Sequence, residues 1–399
     1  SLAALPLSDG PLSAAGNKRV RLALIGVGSG AGGSGIGERH LNHALAESEL
    51  FEVVAVADPA ERGAQLCEKH GLVHYRDTEE MLKEVQPDAA VLAVPNHLHV
   101  PLGLLCVAHG VHILVEKPLA PTLAEGRKLV DAAREQGVLL VVGHHRRFDP
   151  SVTGAKRLLD PGCEEGIGQL LNASVMWAIR KPDDYYSLSH RREAGAGPLT
   201  TNFSHDVDTL RFLCGEVEEV MGMAANRLGR GGVNEDSAAL LLRFSSGALA
   251  SVSISDAAPS PWNWESSTGE NDTVPYTKGN CYRFVGTKGS LDFPTLELWR
   301  HADHAGRTEG LADGGLGNWG DPFSKFEIDV ASARQPLGSW RAELIAFGEA
   351  VAGEDVALSR LARGSGSSSG SSIASGADGL ATVAAMEAVL RAVQVGGIV

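Results

Sequence analysis

Apolar residues in the first third of the chain come in short dense runs: "VRLALIGV", "FEVVAVAD", "AAVLAVP", "VHILVEKP" and "VLLVVGHH", between Val20 and His145. Rich in Val, Ile and Leu and barely alternating, they have the pattern of parallel strands buried on both faces. Between them, "PAERGAQLCEKHG", "TEEMLKEV", "VPLGLLCVAHG" and "TLAEGRKLVDAAREQG" place apolar residues at helical spacing, two of them closing on a glycine. Strand and helix alternate, which predicts a doubly wound α/β domain over residues 19–145, preceded by a loose tail over 1–18.

After Arg146 the pattern changes to period two. "LLNASVMW", "EEVMGMAANRL", "SAALLLRFSSGALASVSIS", "CYRFVGTKGSLDFP" and "TLELWR" alternate apolar with polar residues and turn at glycines, as an antiparallel sheet with one covered face does. A second, α+β domain is expected over residues 146–399. Within it "AGPLTTNFSHDVDTLRFLCG" reads as a glycine turn entering a helix that stops near Gly215. The stretch "RGSGSSSGSSIASG", residues 363–376, has the composition of a flexible connector, natural or artificial. Beyond it a helix over 378–395 is expected, with Asp378 as N-cap and Leu380, Val383, Met386, Leu390 and Val393 as its apolar stripe.

The first strand runs into "GVGSGAGGSGIG", which holds more glycines than a dinucleotide-binding turn needs. An acid is expected about 20 residues after the last glycine of such a turn, at the end of the second strand. Asp58 ends "FEVVAVAD", 30 residues beyond Gly28 but 21 beyond Gly37. The functional glycines are therefore Gly26, Gly28 and Gly37, with the helix starting near Ile36 and Ser29 opening an inserted loop. The N–H groups of the turn are expected to approach a pyrophosphate; the competing reading is a surface loop that binds nothing. The Asp58 carboxylate suits a free ribose 2′-hydroxyl and favours NAD over NADP, a preference that nearby Arg62 would soften.

Ligands of open α/β sheets bind at the carboxyl edge of the strands. "VEKPLA" puts Glu116 and Lys117 there, where the ammonium could stabilise an alkoxide that loses hydride, unless Lys117 is simply a surface lysine before a turn proline. "VPNHLHVP" puts Val94, Pro95, Asn96, His97 and His99 at the same edge, lining a cofactor cleft or capping the next helix. "TNFSHDVD" supplies His205 as a proton acceptor with Asp206 and Asp208 close by, although a single histidine is more often structural. The aromatic residues Trp177, Tyr185, Tyr186, Trp262 and Trp264 lie in polar loops, where they either stack on a sugar ring or cover a sheet edge.

Composition narrows the partners. A formal net charge of −14 disfavours nucleic acid and anionic membranes, leaving a small-molecule substrate. Five scattered cysteines without a C-x-x-C pair indicate neither a zinc site nor a disulfide framework, and no H-E-x-x-H is present, so no metal is expected. With no signal peptide and no apolar run of about 18 residues, a cytoplasmic protein is expected.

Together "IGVG…IGERH", "VAVADP", "VPNHLH", "VEKPLA", "GHHRRFDP" and "AGPLTTNFSHDVDTLRFLCG" resemble the glucose-fructose oxidoreductase, inositol dehydrogenase and MocA family over roughly residues 20–300. The resemblance implies a Rossmann domain joined to an open, mostly antiparallel sheet through which dimers or tetramers assemble. It makes Lys117 the catalytic lysine and His205 the acid/base, puts His145, Arg146 and Arg147 near the nicotinamide or substrate, and places Arg180 and Arg191 in the substrate loop. That family usually has an aspartate four residues before the histidine. Here Thr201 occupies the position beside Asn202, so the histidine loses a charged partner, for which Asn202 or Asp206 could compensate. The expected activity is hydride transfer between NAD(P) and a hydroxyl carbon of a sugar, polyol or cyclic diol. The alternatives are a glycosidase working through transient oxidation and a non-catalytic NAD-binding sensor.

Overall fold

The computed structural model describes residues 19–28, 35–271, 273–301, 322–327, 338–353 and 372–396. The tail over 1–18, Ser29, and residues 363–371 of the expected connector lie outside them. Six parallel strands form the first sheet: β1 (Val20–Ile25), β2 (Phe51–Ala57), β3 (His74–Tyr75), β4 (Ala89–Leu92), β5 (His112–Glu116) and β6 (Leu140–Gly143), in the order β3-β2-β1-β4-β5-β6. The five long strands are the five apolar runs. β3, two residues long, has no such run to announce it.

Helices α1 (Ile36–Ala46), α2 (Glu61–His70), α3 (Thr78–Val85), α4 (Asn96–Ala108) and α5 (Leu123–Glu135) cross between the strands. Gly71 ends α2 in the left-handed conformation at φ 67, which an L side chain would strain. Thr122 caps α5 by accepting from the Glu125 amide.

The second sheet has eight strands. β7 (Leu170–Ala178), β8 (Val217–Ala225), β9 (Ser237–Phe244), β10 (Leu249–Ser255), β11 (Tyr282–Gly286), β12 (Ser290–Phe293), β13 (Glu297–His301) and β14 (Phe323–Glu327) lie in the order β14-β13-β12-β11-β7-β10-β9-β8. Every pairing is antiparallel except β7 with β10. Burial alternates along β9 and β10, as their sequences require. One face packs under α6 (Pro150–Leu158) and α7 (Ser204–Cys214), with α8 (Trp264–Thr268) adding Trp264 to the same core. The other face exposes Leu171, Met221, Met223, Leu241 and Leu249.

Two late helices depart from the expected division of the chain. α9 (Ser339–Ala352), assigned to the second domain, packs Leu344, Phe347, Ala350 and Val351 into the first domain's core beside Leu22 and Phe51. α10 (Gly376–Val395) joins the two halves: Ala385, Val389 and Ala392 enter the second core and Val383 the first. Its N-cap is Ser375, not Asp378. The Ser375 hydroxyl accepts from the Asp378 amide while the Asp378 carboxylate accepts from Ser375 N, a reciprocal box that stops residues 375–376 from acting as linker. The helix face buried deepest is built from small residues. A Cβ on Gly376 would stand 2.6 Å from Leu140 Cδ2, and one on Gly379 2.5 Å from Val142 Cγ2.

Candidate active site

Gly26 turns the chain out of β1 at φ 86, and a Cβ there would lie 2.6 Å from the Ala93 carbonyl. A Cβ on Gly37 would overlap the Gly26 carbonyl oxygen, so α1 sits directly on the turn and starts at Ile36, where the spacing to Asp58 placed it. Side chains at 26 or 37 would fill this cradle, which therefore fits a dinucleotide.

The expected phosphate donors are different, however. Gly26 N donates to Ala57 O, and Val27 N and Gly28 N both donate to Asp58 Oδ2 at 2.7 Å, so the amides at 26 and 28 already have partners. Gly35 offers α1 no side-chain cap, leaving the first-turn amides of that helix to face an anion. Asp58 is 4% exposed and accepts a third amide, from Ala60, at Oδ1. Arg62 is paired with Glu38 at 2.7 Å.

At the strand edge, Asn96 and His97 are exposed in the first turn of α4, and Asn96 is its first residue rather than its cap. Buried His99 bonds the Val94 and Pro118 carbonyls at 2.9 and 2.7 Å, tying the loop after β4, which runs through Pro95, to the Lys117–Pro118 peptide, which is cis. Glu116 is buried. Its Oε1 meets His40 Nε2 at 2.8 Å and its Oε2 accepts from Lys117 N. Burial alone would raise the Glu116 carboxyl, but His40, with His145 and Lys117, outweighs it and holds the group below the ordinary range.

Lys117 and His205, both half-buried, share one electrostatic environment. Burial, and next the Lys117 ammonium, drive His205 well below the usual histidine value, with Arg146, His145 and His144 acting in the same direction. Burial also lowers Lys117, partly opposed by Glu116. Among the described residues neither side chain has a hydrogen-bond or ion-pair partner. His205 meets the His145 ring edge-on at 5.9 Å. The result is an ammonium and a neutral imidazole, both free to bond a ligand.

Residues that the sequence did not point to hold His145, Arg146 and Asp206, the neighbours of this pair. Glu270 accepts from Arg146 Nε and Nη2 at 3.3 and 3.2 Å and lies 3.0 Å from His145 Nε2. Arg146 also faces Asp206 and Glu265 at 3.5 and 3.6 Å and stacks on Trp264. Trp340 of α9 stacks on His145 at 3.8 Å, and the Arg39 guanidinium lies 4.2 Å from the Trp340 ring centroid. Tyr282 donates to Asp206, which burial raises to about 7 against the pull of Arg146. Among the described residues neither the Asp206 nor the Asp208 carboxylate makes a hydrogen bond or ion pair with His205.

Four residues expected at the ligand are engaged by other side chains of the protein. Arg147, expected at the substrate, makes two bonds to Asp208 at 2.8 and 2.7 Å and is 3% exposed, because the two charges neutralise each other inside the domain junction. Arg146 is likewise committed to buried carboxylates. Trp177 is 1% exposed in the second core, its Nε1 donating to Glu265. Arg180 pairs with Asp183 at the surface. Arg191 lies over the Tyr185 ring and donates to the Tyr185 carbonyl at 3.1 Å. Asn202 accepts from Thr201 Oγ1 at 2.8 Å.

Residues 20–144 match the profile of the oxidoreductase family with an NAD-binding Rossmann fold, and residues 153–292 match the GFO/IDH/MocA C-terminal domain. The rhizopine catabolism protein MocA of Rhizobium meliloti is 30% identical over 59% of this chain and 71% of its own length. The chain belongs to the Gfo/Idh/MocA oxidoreductase family.

Other relatives include the 1,5-anhydro-D-fructose reductase of Ensifer adhaerens, 35% identical over 50% of this chain and 60% of that protein. The scyllo-inositol 2-dehydrogenase (NAD(+)) of Bacillus subtilis is 28% identical over 70% and 75%. A levoglucosan dehydrogenase solved with NADH and levoglucosan shares the fold, with a TM-score of 0.70, 21% identity and coverage of 96% and 99%. In this Gfo/Idh/MocA chain the position four residues before His205 holds Thr201, whose hydroxyl bonds the Gly197 carbonyl and lies 3.3 Å from Lys181 Nζ.

Proposed function

We propose that the protein transfers hydride between C4 of a nicotinamide and the hydroxyl-bearing carbon of a sugar, polyol or cyclic diol, with NAD preferred over NADP. The observation that carries this reading is the pair of Lys117 and His205, without hydrogen-bond or ion-pair partners among the described residues, in a domain whose glycine cradle fits a dinucleotide. A bound nicotinamide would supply the hydride acceptor or donor. In the oxidising direction, Lys117 Nζ donates to the substrate oxygen and stabilises the developing alkoxide, while an imidazole nitrogen of His205 takes the hydroxyl proton. The C–H bond gives up hydride and a carbonyl forms; reduction reverses each transfer.

Asp58 supports NAD, since its buried charge would repel a 2′-phosphate, and Arg62 is engaged by Glu38 at 2.7 Å. The relatives named above support a polyhydroxylated substrate. The exposed apolar residues on the open sheet face support a homodimer or homotetramer built through it.

The test is absorbance at 340 nm with NAD and NADP against inositols, aldoses, sugar acids and cyclic diols. A signal should appear with at least one alcohol, and Lys117→Ala should lower turnover by about 10²-fold or more. Full turnover in that variant, or no signal with any alcohol, refutes the reading. Sugar release without net NADH would point to a glycosidase.

A further inference from the structure

Glu116 is costly where it stands. It ends β5 at 7% exposure, and β6 gives up a side chain to make room for it, since a Cβ on Gly143 would lie 3.1 Å from the Glu116 carboxyl carbon. A carboxylate so buried must be hydrogen-bonded, and both of its oxygens are. His40 of α1, itself fully buried, meets Oε1 at 2.8 Å, its Nε2 donating because a carboxylate only accepts, and the Lys117 amide donates to Oε2 at 3.2 Å. With both oxygens taken, the carboxylate acts on the neighbouring ammonium as a charge rather than as a bonded partner. The protons of Lys117 Nζ stay available to a ligand.

The charges around this pair come from several elements. Lys117 is faced by Glu116, by Arg146 after β6, by Glu270 after α8 and by His205 of α7. Glu116 is faced by His40, His145 and Lys117, by His99 of α4 and by Glu343 of α9. Glu270 is committed to Arg146 and His145. Burial, and after it Glu116 and Asp208, push Glu343 far above the ordinary carboxyl range, where it favours the uncharged acid. Among the described residues Glu116 is thus the carboxylate that does most to offset the burial of Lys117.

We propose that His40 is a positioning residue for the reaction: by holding Glu116 ionised next to Lys117, it keeps that lysine an ammonium able to donate to the substrate oxygen. This rests on the hydride-transfer reading for what the ammonium does. Without His40 the buried carboxyl takes a proton and the lysine loses its counter-charge, so the ammonium gives up its own proton at lower pH. A role confined to fastening α1 onto β5 would change stability and leave that titration where it was.

Two measurements read the lysine. The basic limb of kcat/KM, from NADH formation on an alcohol that wild type oxidises, reads it in turnover; competitive acetylation of Lys117 by acetic anhydride, followed across pH by mass spectrometry, reads it with no substrate present. His40→Leu should move both titrations down by about one pH unit or more, and Glu116→Gln should do the same. His40→Gln, whose amide can still donate to Glu116, should recover most of the shift, and His40→Leu should add nothing in the Glu116→Gln background. Should His40→Leu fail to fold, His40→Asn, whose shorter amide falls short of the carboxylate, takes its place. Titrations that stay put or move up in either single variant, or a His40→Leu shift undiminished by Glu116→Gln, overturn the proposal. The acetylation shift without NADH from any alcohol would remove the hydride-transfer reading and keep the coupling of His40, Glu116 and Lys117. NADH formation with neither titration moved would do the reverse.

Discussion

Replacing Arg147 by methionine separates a structural role from a substrate role. Arg147 and Asp208 are 3% and 1% exposed, and the substitution leaves the Asp208 carboxylate buried without its two-bond partner. Breaking such a pair costs about 3–5 kcal/mol. Asp208 keeps the Thr382 hydroxyl at 3.0 Å and faces Arg211 at 3.7 Å, so the lower end, about 3 kcal/mol, is expected here. With a urea slope of about 3 kcal/mol/M the midpoint should fall by about 1 M.

The pH dependence has a definite sign. Burial would raise Asp208, but Arg147, with His144 and Arg211, outweighs it and holds the group well below its usual 3.8. Its stabilisation is therefore present above about pH 4 and is lost as pH falls toward the depressed value. Urea melts at pH 7 and at about pH 3 should show wild type losing more stability on acidification than the double variant Arg147→Met/Asp208→Leu, which should recover most of the midpoint at pH 7. An unchanged midpoint in Arg147→Met together with a tenfold rise in substrate KM would refute the structural role and restore the expected ligand contact.

Four further outcomes follow from the geometry. Because burial and Lys117 lower His205, the acid limb of kcat/KM should titrate below pH 6.5, and a limb above 7 would contradict the neutral imidazole. Glu270→Gln removes the charge that fixes His145 and Arg146, and should reduce kcat about tenfold or more with a smaller change in cofactor affinity, measured by NADH fluorescence titration. Gly379→Val drives side-chain atoms into Val142 and should cost about 1–3 kcal/mol in chemical denaturation. Met223→Glu, at a residue 75% exposed on the open sheet face, should lower the assembled mass seen by light scattering, and an unchanged mass would remove that face as the interface.

How much the sequence disclosed depended on range. Strands β1, β2, β4, β5 and β6 announce themselves because a strand buried on both faces must be apolar throughout, and Asp58 set the start of α1 because the spacing of a βαβ turn is local. Glu270, Trp340 and Tyr282 carried no local mark. Each reaches the site from a loop, helix or strand distant in sequence, and nothing in a glutamate's neighbours says that an arginine 124 residues earlier awaits it. Arg147 was misplaced for the same reason, its partner Asp208 being visible only once α7 is folded against the segment after β6. The cap of α10 was legible: Ser375 and Asp378 stand three apart in the order a capping box requires, but the glycine-serine composition before them hid it. The docking of α9 was not, since an apolar stripe does not say which of two cores will receive it.

The edge of the parallel sheet at β6 is closed late. Val141 bridges to Ser375, and Val142 N donates to the carbonyl of Ala374. During synthesis the nucleotide-binding half therefore leaves the ribosome with one raw strand margin and an incomplete interior, and must wait for more than two hundred further residues before both are covered. A chain stalled in that interval would be the species most prone to sticking to its own kind.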